Sequence, residues 1–169
     1  CSDILDFSSD GKFYYDPVCG FDSLKKLSQF AESILEVLPE DGEHYWQHAL
    51  RKRITCVLEY VLFKYETPCF EDFLNEIFNF LSRTNELLYE IGKFELAIED
   101  ILSKTRENRI EYENLKRRLG RLRGVFLEWQ SLDSRTKSNE TSTISNLLSA
   151  FTNPSVEGLL SKIGKHRLD

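Results

Sequence analysis

Apolar residues recur at steps of three and four along most of this chain, the spacing that gathers them on one face of an α-helix. Leu24, Leu27, Phe30, Ile34 and Leu38 mark a first helix. Asp16-Pro17 supplies an N-cap and a proline at the first helical position, and Pro39-Glu40-Asp41-Gly42 ends it. Trp46, Leu50, Ile54, Val57, Leu58, Val61 and Leu62 form the stripe of a second helix, from about His44 to Tyr65. Thr67-Pro68 repeats the cap-and-proline start. A third helix then follows through Phe70, Phe73, Leu74, Ile77, Phe80 and Leu81.

From Leu87 to Trp129 the steps alternate between three and four without a slip, through Ile91, Phe94, Ile98, Ile101, Thr105, Asn108, Tyr112, Leu115, Leu119, Leu122 and Phe126. That is heptad spacing. Only Thr105 and Asn108 are polar, and the register survives them. A preserved register favours one long or kinked helix; continuous from 85 to 130 it would span about 68 Å at 1.5 Å per residue. A break near Ser103–Asn108 is the alternative.

Residues 131–145 are polar and rich in Ser and Thr, the composition of a linker. Two short helical segments are expected in the tail, around Ile144–Phe151 and Ser155–Ile163, separated by Asn153-Pro154 and packing on the bundle. The expected organisation is a helical domain over 1–130, the linker, and that helical tail over 146–169. The fold class expected is all-α.

The N-terminal half repeats itself at an offset of 50 residues. Tyr15-Asp-Pro-Val-Cys19 matches Tyr65-Glu-Thr-Pro-Cys69, and Asp22, Leu24 and Phe30 match Asp72, Leu74 and Phe80. Each unit, about 1–43 and 56–92, has an upstream cysteine, Cys1 or Cys56. A period of this length means one helix-hairpin unit duplicated and packed on itself. With Cys1, Tyr15 and Cys19 followed by Cys56, Tyr65 and Cys69, the chain resembles the bicycle proteins of gall-forming aphids, a family named for paired Cys-Tyr-Cys motifs. The resemblance covers roughly the first 70 residues. It implies a salivary effector delivered into host tissue, with no established enzymatic activity.

Composition sharpens the compartment. The chain opens on Cys1 and contains no methionine, which leads to the expectation of a removed signal peptide. Four cysteines, an even number, fit an oxidising compartment, and the bundle is expected to be stapled by disulfides in one of three pairings. One geometric obstacle stands against pairing Cys56 with Cys69. If the second helix runs intact to Tyr65, Cys56 lies about 13 Å from its end, whereas a disulfide needs Cα atoms within about 7 Å. Asn139-Glu140-Thr141 is a glycosylation sequon with Asn139 as acceptor. The most apolar run, Val57 to Phe63, is interrupted by Glu59 and is far short of a membrane span.

No enzyme motif is present: there is no G-x-S-x-G elbow, P-loop or G-x-G-x-x-G. His44 and His48 sit one helical turn apart but lack the glutamate of HExxH and a third ligand, so no metal or other cofactor is expected. The cysteine spacings of 18, 37 and 13 fit no zinc pattern. A net charge of −6 argues against a general nucleic-acid binder. One cluster stands out: Lys116, Arg117, Arg118, Arg121 and Arg123 interleave with Leu115, Leu119 and Leu122. It reads as a basic face for a partner or as an ordinary solvated helix face. The functional expectation is a secreted, non-enzymatic effector that binds a host macromolecule, a protein before any other. A secreted signalling or lipid-carrier bundle is the alternative.

Overall fold

The computed structural model describes residues 13–14, 29–33, 36, 44–149 and 166–167. Five helices account for nearly all of the central stretch: α1 (His44–Lys64), α2 (Phe70–Ser82), α3 (Thr84–Lys104), α4 (Arg109–Ser131) and α5 (Ser134–Leu148). Two short strands, β1 (Phe13–Tyr14) and β2 (His166–Arg167), pair in parallel, Phe13 with His166 and Tyr14 with Arg167. The all-α bundle holds apart from that two-residue bridge.

α1 is the central helix. Leu50, Ile54, Val57, Leu58 and Val61 are buried, as its apolar stripe requires, and every residue from Cys56 to Val61 is buried as well. A helix enclosed around its circumference has neighbours on every side. α2 packs along it, α3 packs on α2, and α4 returns against both α3 and α1. Aromatic rings fill the space between them. Phe80 lies 5.2 Å from Phe126 and 5.1 Å from Trp129, and Tyr60 meets Phe126 edge-on at 5.9 Å. Phe30, on the helical residues 29–33, sets its edge against Phe70 and Phe73.

Local chemistry explains the boundaries. α2 takes Cys69 rather than Thr67 as its N-cap, because the Asp72 carboxylate three residues on accepts from the Cys69 N–H at 2.9 Å and ties off the first turn. The heptad stripe is two helices, not one. α3 stops at Thr105, and the chain turns through Asn108 in the left-handed region, φ 54°, before α4 begins. Asn is the non-glycine residue that tolerates that conformation best. The only two polar members of the stripe thus mark the turn. Register survives because the turn folds the stripe onto itself: Leu87, Ile91 and Ile98 on α3 share one buried core with Leu119, Leu122, Phe126 and Trp129 on α4.

Two further expectations are corrected. Residues 131–145 are not a linker, since α5 spans Ser134–Leu148. Asp133 caps it, accepting from the Arg135 and Thr136 N–H groups, and Ile144, Leu147 and Leu148 pin it to the core. The bundle is not stapled at Cys56 or Cys69: both are buried and neither is in a disulfide. The cause is the intact α1, which holds Cys56 two turns inside the helix and away from Cys69 at the start of α2. Cys1, Tyr15, Cys19 and the first expected helix, apart from its helical residues 29–33 and the turn at 36, lie outside the described residues.

Candidate functional site

The five cations of the expected basic face lie on α4, where four of them meet carboxylates of the same chain. Lys116 Nζ is 2.7 Å from Glu99 and Arg123 is 2.6 Å from Glu95, both across the α3–α4 seam. Arg117 donates to Asn114 at 2.6 Å. Arg118 and Arg121 converge on Glu59 of α1: the Arg118 Nε lies at 2.8 Å, and one Arg121 nitrogen spans both oxygens at 2.9 and 3.0 Å. Glu59 is buried, so its charge has no water to rely on. The Arg118 guanidinium also lies 5.0 Å over the Phe63 ring. Arg118 and Arg121 thus neutralise an interior carboxylate, and the surface they share is not an unbalanced basic strip.

Two more polar clusters radiate from α1. Toward α5, Arg53 faces Glu140 at 3.1 Å, both almost wholly buried, and the guanidinium lies 5.4 Å over Trp129. Burial pushes the Glu140 carboxyl above its usual range, and Arg53 only partly offsets this. Toward α2 and α3, Lys64 bridges Glu76 at 2.7 Å and Glu90 at 3.1 Å. Tyr60 donates to Glu90, and Tyr65 donates to Glu76 at 2.8 Å. Burial draws the Lys64 ammonium down, but its hydrogen bonds to Glu76 and Glu90 outweigh this and hold it charged. Burial and the bond to Glu76 push the Tyr65 hydroxyl up to about 12. The motif tyrosine Tyr65 is therefore a tie between α1 and α2.

The remaining expected residues scatter. His48 is exposed on α1, and the His44 side chain lies outside the described part. Among the described residues, no group of three or more His, Cys, Asp or Glu gathers to hold a metal ion. Cys56 is a buried thiol pushed up to about 11, first by burial and then by Glu59, which leaves it protonated and unreactive near neutrality. Cys69 Sγ donates to Asp72 at 3.1 Å. Asn139 is exposed on α5. No helix among the described residues is long and apolar enough to cross a membrane.

What the chain does present is an outer face on the α3–α4 hairpin that the sequence pattern alone did not single out. Tyr89 and Leu96, 67% and 68% exposed, stand two turns apart on α3, and Leu127 is exposed on α4. Tyr89 and Leu96 border an open groove lined also by Gly92, Glu95, Glu99 and Arg123. A Cβ on Gly92 would meet the Arg123 guanidinium at 3.3 Å, so glycine there lets the Arg123–Glu95 pair lie flat across the helix. Gly120 and Gly124 continue the outer side of α4, with nothing within 4 Å of a Cβ at either. Each costs its helix about 1 kcal/mol relative to alanine. Packing within the described residues does not require either one.

No family model, no curated protein and no solved structure matches the chain. The resemblance to the bicycle proteins does not hold. Its described cysteines are thiols rather than halves of disulfides, and no relative supports it.

Proposed function

We propose that this chain is a non-enzymatic helical binding protein, and that its partner is a protein seated on the outer face of the α3–α4 hairpin. The observation that carries this reading is the exposure of Tyr89, Leu96 and Leu127 along one face of two rigid, mutually ion-paired helices. Large apolar side chains and tyrosines are the anchors that protein interfaces use, and a preorganised face lowers the entropic cost of docking. The clusters of charged groups serve a scaffold: their carboxylates, lysine and arginines are spent on one another, across α1–α4, α1–α5 and α1–α2–α3. The aromatic rings packed between the helices favour a solid scaffold over a lipid carrier. Cys56 and Cys69, being thiols, point to no particular compartment.

The test is a paired capture from the source tissue with the full chain and with a Tyr89→Ser/Leu96→Ser variant. Both should melt at the same temperature, because the replaced groups are exposed. A partner held by the parent and lost from the variant is the expected outcome. Equal capture by both would reject this face.

A further inference from the structure

α5 is built unlike the helices it packs on. Nine of its fifteen residues are Ser, Thr or Asn, which favour caps and turns over helix interiors. No backbone packing comparable to that joining α3 with α4 or α1 with α2 holds it down on α1–α4. Its polar anchor is also the poorest in the core. Glu59 receives three hydrogen bonds from Arg118 and Arg121, whereas the Arg53 Nε and the facing Glu140 oxygen, 3.1 Å apart, are both without a hydrogen bond. Among the described residues α5 is held by this charge contact, by Ile144, Leu147 and Leu148 in the core, and by a bond from Lys137 to the Gln130 carbonyl at 2.9 Å. Beneath Glu140 lies a well-built seat: an arginine from α1 stacked on a tryptophan from α4. Burial also pushes the Glu140 carboxyl up, so the ionised group holds its place at a cost.

We propose that α5 is a displaceable strap filling a helix-binding groove on α1 and α4, and that the groove's ligand is an amphipathic helix bearing a carboxylate over Arg53 and Trp129. The strap defines the ligand's chemistry. A carboxylate at one position, then apolar residues four, seven and eight positions later, reproduces Glu140, Ile144, Leu147 and Leu148. Such spacing lies on one face of a helix. The strap competes from the same chain, so its effective concentration is high, and an outside helix gains access only when the strap opens. A helix of fifteen residues with this composition does not hold its shape alone in water, so opening and melting coincide.

Two measurements on the full chain decide it. In hydrogen exchange, the amides of Glu140–Leu148 should exchange at least tenfold faster than those of Ile54–Val61 and Leu119–Phe126. In fluorescence anisotropy, a labelled peptide of residues 133–149 should bind at least tenfold more tightly to Ile144→Asp, or to Ser142→Pro, than to the parent. A peptide carrying Glu140→Lys should lose that gain. Exchange of α5 in step with α1 and α4 overturns the proposal. So does peptide binding that neither variant improves, or loss of α1–α4 protection in both variants, since either makes α5 integral rather than displaceable.

Discussion

Glu59 is one carboxylate in the longest buried stretch of α1, and its energetics are lopsided. Its two arginine partners are partly exposed and regain water if it is removed, whereas Glu59 cannot regain water if they are. Arg118→Ala/Arg121→Ala should therefore lower stability by about 3 kcal/mol, the usual cost of stranding a buried charge. Glu59→Leu should cost far less. Urea unfolding of the two variants measures the asymmetry, and equal losses would show that Glu59 is solvated after all. Cys56 makes a second prediction, in pH. Its thiol is raised from 9.0 to about 11 in the fold, so the unfolded chain ionises first. Stability from this group is complete below pH 9 and is lost as pH rises to about 11, an amount on the order of 2–3 kcal/mol. Cys56→Ala should flatten that alkaline limb; an unchanged slope would place the loss elsewhere, on Tyr60 or Tyr65. At Glu59 the sequence held a legible signal, whereas at Cys56 the even cysteine count pointed to a disulfide that is not there. Glu59 interrupts the most apolar run of the chain, and an acidic residue inside a buried stripe implies cationic partners brought from elsewhere. Which cations they were depended on the fold, since Arg118 and Arg121 lie 59 and 62 residues away.

Among the elements, α1, α2 and the heptad seam were readable because periodicity and burial agree in them. The α3–α4 turn was hidden by that same regularity. A seam with an unbroken heptad is compatible with one long helix or with a hairpin folded on itself, and what decides is two polar positions, one of which accepts a left-handed backbone. α5 is legible only at its C-terminal turn, where Ile144, Leu147 and Leu148 fall in an expected helical segment; over 134–143 its composition is that of a loop, and the cap at Asp133 and those three apolar residues draw it into a helix. Two substitutions probe these elements. Asn108→Gly should be neutral or slightly stabilising, and Asn108→Val should cost about 1–2 kcal/mol for the strained backbone. Gly120→Ala/Gly124→Ala should add about 1–2 kcal/mol in thermal or urea unfolding, since both sites are open and helical. A loss instead would show that something packs closely against the outer side of α4.

At the scale of the whole molecule, every surface feature depends on the stripe folding back at residues 105–108. The turn buries the seam, aligns Lys116 with Glu99 and Arg123 with Glu95, and leaves Tyr89, Leu96 and Leu127 on one outer face. Were α3 and α4 one rod, there would be no such face, and α4 could not return against α1. Spin labels at the exposed Glu86 and Ser131 distinguish the two arrangements directly. Their backbones lie at the same end of the hairpin, on helices whose axes pack about 8–10 Å apart, so the label separation should fall below about 25 Å. A continuous helix would hold the two positions about 68 Å apart, and a distance in that range would contradict the hairpin and the binding face with it.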